Sequence, residues 1–302
     1  MSLKGIITRP LPEGPFELEG RQAVEIGFGN GEFLAHIAAS NPDVTYWGLE
    51  IALPCVARAA ARLEKAGLTN AHILHGDARF LLRHCFDDEV LERIYMHFPC
   101  PWPKKRHARR RVTNRLFADA LAATLKVGGQ FEFATDEPWY AEEVAEGLGA
   151  HPALSLVERR PYQRAITTKY ERRWIDEGKV RTLLVFEKMV PWKAPRPLEG
   201  GSEEMMHLHV PQAEVSTASL EEKVKGKVGS QGLSHWAFRD VYGSEGIYLL
   251  ETVIDDEGFE QKFYFKLCNR PSGVLIKPDT ITHPFLTNGV RGALAHLAQL
   301  LS

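Results

Sequence analysis

"VEIGFGNGEF", residues 24–33, decides how the first half of this chain is read. A strand-like apolar run ends in Gly27, Gly29 and Gly31, and the amphipathic stretch "GEFLAHIAAS" starts on the last of them. Glycines at a strand-to-helix turn let backbone N–H groups come close to a ligand at the carboxyl end of a sheet. The spacing is G-x-G-x-G, which is not the dinucleotide pattern G-x-G-x-x-G. An ordinary tight turn would carry the same glycines, so the loop alone names no ligand.

Outward from this loop, apolar runs alternate with helix-spaced segments. Strands are expected at 22–28, 44–50, 71–75, 93–98 and 129–135. The intervening stretches "PCVARAAARLEKAG", "ARFLLRHC" and "NRLFADALAATLK" carry helical spacing, the last closed by Gly128 and Gly129. Such alternation predicts a parallel sheet covered on both faces. After a further helix over 138–148, "LSLVERR" and "VRTLLVFEK" have no helix-length connection, and a closing antiparallel pair is expected there.

The texture then changes. "VPWKAPRPLEGGSEE" (190–204) has the Pro, Gly and charge content of a linker. Beyond it, "IYLLETVID", "EQKFYFKLCN" and "GVLIKP" read as antiparallel strands, and "VRGALAHLAQLL" as a terminal helix. The organisation expected is a first domain over 1–190, a linker over 191–218 and a small α+β domain over 219–302. A length of 302 residues suits two domains.

Net charge is −2, so the chain is no polycation, and any polyanion must be held by a local patch. Residues 191–302 carry 11 Lys and Arg against 14 Asp and Glu, which argues against an independent nucleic-acid binder there. The four cysteines (Cys55, Cys85, Cys100, Cys268) form no CxxC pair, so neither a zinc site nor a disulfide framework is expected. No signal peptide and no long apolar run appear. A cytoplasmic protein with no membrane span and no metal is the expectation.

Three acids sharpen the glycine loop: Glu25 within the first strand, Glu50 ending the second and Asp77 ending the third. A solvated strand terminus would also explain Glu50. A carboxylate at that place can, however, accept both hydroxyls of a ribose, and Asp77 can reach an adenine amino group. Acids that end successive strands beside one Gly loop suit a nucleoside carrying positive charge, whereas Glu25 would repel a pyrophosphate. S-adenosylmethionine fits, with a nicotinamide dinucleotide the weaker alternative.

A second stretch, "FPCPWPKKRHARRR" (98–111), follows the fourth strand and so begins at the same edge. Each residue before a proline is pushed towards extended backbone, which makes Phe98, Cys100 and Trp102 part of a stiff segment. The cations after it (Lys104, Lys105, Arg106, Arg109, Arg110, Arg111) are by default a solvated helix start. Next to a rigid loop, with Trp102 and His107 available for stacking, phosphate contact is favoured.

These residues together resemble the bacterial tRNA (guanine-N7-)-methyltransferases, which modify a guanine in the tRNA variable loop. The family motif F-P-D-P-W-x-K-x-x-H-x-K-R-R stands here as "FPCPWPKKRHARRR", and T-K-F-E as "TKYE" at 168–171. "EIGFGNGEF", "GLE", "GDA" and "ATD" fit in the same order, so the likeness covers roughly residues 20–190. It implies a Rossmann-like class I fold dependent on S-adenosylmethionine, with helices on both faces of the sheet. It implies cofactor contacts at Glu25, Glu50 and Asp77, beside Gly27, Gly29 and Gly31. Substrate contacts are implied at Lys104, Asp136, Thr168, Lys169, Tyr170 and Glu171, and tRNA contacts at Arg106, His107, Arg109, Arg110 and Arg111. Asp136 and Glu171 suit the Watson–Crick edge of a guanine splayed out of its stack, with Arg172 and Arg173 extending the positive surface.

One position departs from the pattern. The motif's aspartate, to which the catalytic role is assigned in the family, is Cys100 here. A thiolate would be needed to replace its charge; a neutral thiol would leave positioning alone. His97 is a candidate substitute, although a packed or solvated strand-end histidine is the plainer reading. Two alternatives stand beside the methyltransferase: a tRNA-binding homologue impaired by Cys100, and an enzyme acting on another RNA or nucleobase.

Overall fold

The computed structural model describes residues 6–7, 15–104, 111, 113–163, 180–194, 207–256, 259–279, 281–282 and 284–302. The chain divides into two compact units, Met1–Pro195 and Arg196–Ser302.

The first unit is built on β1 (Ile6–Ile7), β2 (Arg21–Ile26), β3 (Val44–Glu50), β4 (Ala71–His75), β5 (Leu91–His97), β6 (Leu125–Thr135), β7 (Leu154–Pro161) and β8 (Thr182–Lys188). They form one sheet in the order β1-β4-β3-β2-β5-β6-β8-β7. Strands β1 to β6 run parallel, while β8 is antiparallel to both β6 and β7. This is the Rossmann-like sheet that the resemblance implies, and the antiparallel closing pair expected from the sequence is present. The helices are α1 (Glu32–Ser40), α2 (Leu53–Lys65), α3 (Ala78–Cys85), α4 (Arg115–Thr124) and α5 (Pro138–Gly149). Parallel strands need covering on both faces, and β2 is accordingly buried from Gln22 to Ile26. Leu34, Ile37, Val56, Ala59 and Leu63 of α1 and α2 pack with Tyr46 and Ile73 in one core cluster.

Several boundaries differ from the sequence reading: β2 ends at Ile26 rather than at residue 28, β5 starts at Leu91 and β6 at Leu125. Helix α4 ends at Thr124, and Gly128 and Gly129 lie inside β6 rather than stopping the helix. A Cβ on Gly129 would stand 2.8 Å from the Lys126 carbonyl oxygen and 3.0 Å from that of Leu91, so the irregular start of β6 needs glycine there. Strand β5 ends at His97, because Phe98 turns the backbone to φ +54.

In the second unit, β9 (Leu208–Pro211), β10 (Val228–Gln231), β11 (Ser234–Ser244), β12 (Ile247–Asp256), β13 (Phe259–Arg270) and β14 (Gly273–Pro278) form a sheet in the order β10-β11-β12-β13-β14-β9. Every pairing is antiparallel. Helices α6 (Thr217–Lys223) and α7 (Asn288–Leu301) accompany it. Trp236, Phe238, Phe263, Phe265, Leu294 and Leu297 belong to its core. The segment 191–218, expected as linker, contains β9, which pairs with β14 through Val210 opposite Val274. A four-residue strand ending in proline suits a sheet edge and leaves little pattern to read. Among the described residues, no helix is long and apolar enough to cross a membrane.

Candidate active site

The sheet order places the loops after β4, β3, β2, β5 and β6 side by side along one carboxyl edge. The chain first proceeds from β2 to β3 and β4, then returns to β5 on the other side of β2. The switch point of the topology therefore lies between β2 and β5, where open α/β sheets bind ligands. The glycine loop ends one of these strands and the Pro-Trp loop the other.

Gly27, Gly29 and Gly31 have φ values of +71, +56 and +69, in the left-handed region that other residues occupy only under strain. Their surroundings differ. A Cβ on Gly31 would meet the Cβ of Ala59 at 2.6 Å, so this glycine lets α1 approach α2. Apart from the chain neighbours, a Cβ on Gly27 or Gly29 would find no atom of the described residues within 4 Å, so the backbone there borders open space.

Glu50 fixes the same loop from the next strand. Its Oε2 accepts from the Gly29 N–H at 3.2 Å, and its Oε1 accepts from the N–H groups of Ile51 and Ala52, both at 2.9 Å. A carboxylate offers about four lone-pair sites, so roughly one remains for a ribose hydroxyl. The expectation that it takes both hydroxyls needs one of the backbone bonds to give way. Asp77 caps α3: Oδ1 accepts from the Arg79 N–H at 2.9 Å, and Oδ2 pairs with the Arg79 guanidinium at 2.5 Å. An adenine amino group would meet a carboxylate already neutralised by a neighbour. Glu25 is buried on β2, in register with Gly48 on one side and Tyr95 on the other.

Beyond β5 the chain enters the Pro-Trp loop. The Phe98 N–H donates to the Ala134 carbonyl at 2.7 Å, and the Phe98 ring meets Tyr162 edge-on at 5.1 Å. Trp102 also has a left-handed backbone, φ +48. Two non-glycine residues in this region within five positions mark stored strain of the kind found at functional sites. Cys100, between them, is exposed, and among the described residues none makes a hydrogen bond or ion pair with it. Lys104 is exposed as well. Asp136 follows β6 directly and is half-buried.

His97, the other candidate near this position, closes β5 in an aromatic surround. Its ring is enclosed by Phe33 at 4.9 Å, Tyr162 at 5.3 Å and Tyr95 at 5.8 Å, which is the packed reading of a strand-end histidine. Its Nε2 lies 3.9 Å from Oε2 of Glu132. Burial holds the Glu132 carboxyl above its ordinary range, with the neighbouring Arg93 guanidinium working in the opposite direction.

Arg111, expected among the tRNA contacts, faces the protein. Its Nη2 and Nε donate to the Trp102 carbonyl at 2.9 and 3.2 Å, and its Nη1 pairs with Glu143 of α5 at 2.6 Å. Neither Glu143 nor Trp139, over which the guanidinium lies at 5.1 Å, was signalled by the sequence. The other contacts expected, at Arg106, His107, Arg109 and Arg110, at Thr168, Lys169, Tyr170 and Glu171, and at Arg172 and Arg173, lie outside the described residues.

Comparison with known proteins converges on the same activity. A family model described as "Putative methyltransferase" matches residues 19–184. A tRNA (guanine-N(7)-)-methyltransferase of Thermotoga maritima is 36% identical over 95% of this chain and 92% of its own length. One from Thermus thermophilus is 32% identical over 95% of this chain and 90% of its own. A third, from Aquifex aeolicus, is 28% identical over 92% and 93%. These alignments run through both structural units, and the glycine and Pro-Trp loops lie within the matched region. The chain belongs to the tRNA (guanine-N(7)-)-methyltransferase family.

Proposed function

We propose that this protein transfers the methyl group of S-adenosylmethionine to N7 of a guanine in the variable loop of tRNA. The observation that carries the reading is the pairing of two loops across the switch point: open left-handed glycines braced by Glu50, and a strained Pro-Trp loop on the adjacent central strand. The glycine backbone and Glu50 would hold the cofactor's sugar. S-adenosylmethionine supplies an electrophilic methyl group on a sulfonium. Guanine N7 has a free lone pair at neutral pH, so the protein need not remove a proton before attack. Its work is to align the base, exclude competing orientations and steady the positive charge that develops on the ring.

Alignment supplies roughly 7–11 kcal/mol in well-oriented reactions. One electrostatic group supplies about 3–4 kcal/mol. On that comparison the replacement of the family's aspartate by Cys100 slows the reaction without abolishing it. A second reading, a tRNA-binding homologue with impaired transfer, draws on the same residue: a thiol stands where the family motif has a carboxylate, exposed and with no polar partner among the described residues. Incubation with labelled S-adenosylmethionine and unmodified tRNA, followed by mapping of 7-methylguanine, tests both. Label at a variable-loop guanine supports the enzyme. Tight tRNA binding without transfer supports the second reading, and methylation elsewhere overturns the substrate assignment.

A further inference from the structure

We infer that Arg111 is a positioning residue that latches the Pro-Trp loop to α5, and that it is not one of the phosphate-contacting cations of its basic run. The inference rests on the proposed transfer reaction for its catalytic consequence, and on geometry alone for the latch itself.

All three guanidinium nitrogens are engaged. Nε and Nη2 converge on the Trp102 carbonyl, Nη2 also reaches the Pro103 carbonyl at 3.4 Å, and Nη1 pairs with Oε2 of Glu143. The other Glu143 oxygen accepts from the Thr113 hydroxyl at 2.9 Å, which holds the carboxylate in place. The guanidinium face lies over Trp139, whose indole N–H donates to Glu137 at 3.1 Å. With a side chain only 11% exposed, Arg111 has little surface left to offer a phosphate.

The elements so joined are those on which transfer depends. Trp102 ends the stiff segment that contains Cys100, and α5 begins two residues after Asp136. One side chain therefore sets the loop after β5 against the loop after β6. It does so at the residue whose backbone is strained, φ +48, a conformation that persists only where the surroundings enforce it. Arginine suits the task because its planar fork directs several donors at once, whereas lysine is a point charge. Because prolines stiffen residues 98–103, release of the Trp102 carbonyl shifts the segment together, and displacement of about 1 Å at a reacting centre costs on the order of 10²-fold in rate.

The test compares the full-length protein with Arg111→Lys, Arg111→Gln and Glu143→Gln. Three quantities are read: single-turnover methyl transfer at saturating tRNA and S-adenosylmethionine, tRNA affinity with its salt dependence, and amide hydrogen exchange of residues 98–104. The latch predicts that Arg111→Lys lowers the saturated transfer rate about tenfold or more. It also predicts tRNA affinity within about twofold of the parent and an unchanged salt slope, because no phosphate contact is lost. Exchange in 98–104 should quicken while β2 and β3 keep their protection, and Glu143→Gln should shift rate and exchange in the same direction by less. In Arg111→Gln, which removes the charge that lysine keeps, a salt slope reduced by about one with the saturated rate intact would make Arg111 a phosphate ligand and overturn the inference. So would unchanged exchange. If the parent transfers no methyl group to any tRNA, the proposed function fails; the exchange comparison still decides whether the latch exists.

Discussion

Alanine at Gly29 and at Gly31 should separate the two roles of the glycine loop. Both residues are left-handed, at φ +56 and +69, and alanine there costs about 1–2 kcal/mol in backbone strain. Part of this is offset, because alanine restricts the unfolded chain and thereby returns about 0.4–1 kcal/mol. At Gly29 no atom of the described residues, chain neighbours aside, lies within 4 Å of the added methyl, so the net loss of stability should be about 0.5–1.5 kcal/mol. At Gly31 the methyl would stand 2.6 Å from the Cβ of Ala59 and 3.0 Å from its Cα, both fixed by the α2 backbone. Helices α1 and α2 must then part, and overpacking of this kind adds about 1–3 kcal/mol, for a total near 2–4.

Binding of S-adenosylmethionine should show the reverse order of specificity. The Gly29 methyl projects into the space left open against the loop backbone, so Gly29→Ala should weaken the cofactor at least tenfold, about 1.4 kcal/mol, despite its mild effect on folding. Urea midpoints and titration calorimetry on both variants provide the measurements. Equal destabilisation by the two would refute the contact argument at Ala59. Unaltered cofactor affinity in a folded Gly29→Ala protein would show that the open space belongs to something else.

Cys100→Asp should raise the single-turnover transfer rate by up to about 10²-fold, the order of one well-placed electrostatic group, whereas Cys100→Ser should not; a parent faster than the aspartate variant would remove the need for charge at this position. Glu132 gives a pH dependence. Its carboxyl is held above the ordinary range chiefly by burial, so the folded state binds the proton more tightly than the unfolded chain. Stability from this group is full below the unfolded value and is lost as pH rises through the folded one. Denaturation midpoints followed from about pH 4 to 8 should fall less steeply in Glu132→Gln than in the parent, and parallel profiles would exclude the contribution. Simultaneous loss of Glu50's backbone bonds and any sugar contact should make Glu50→Ala weaken both S-adenosylmethionine and S-adenosylhomocysteine, with a drop in stability that a purely ligand-facing carboxylate would not show.

Much of this architecture was legible because it depends on local pattern. Strands buried on both faces read as continuous apolar runs, and the glycine, acid and Pro-Trp signatures each fall at a strand's carboxyl end. What escaped depends on contacts made elsewhere. Gly128 and Gly129 look like a helix stop, yet the carbonyls of Lys126 and Leu91 make glycine necessary inside β6. The strand Leu208–Pro211 is too short to show alternation, and among the described residues β14 is its one strand neighbour.

The basic run shows why composition alone misassigns individual charges. Lys104, Arg106, Arg109, Arg110 and Arg111 are equivalent as letters, and a summed charge treats them alike. Their fates are decided by which carboxylates and carbonyls the sheet brings within reach. Strands β5 and β6 are neighbours, so the chain leaving β5 runs beside α5, which follows β6. Only that adjacency puts Glu143, 32 residues further along, 2.6 Å from Arg111. Lys104, on the same run, remains exposed. Removing Arg111 should therefore disturb the geometry of transfer, whereas removing an exposed cation should disturb the electrostatics of capture. The two kinds of loss differ in the saturated rate and in the salt slope, and so can be told apart in one set of titrations.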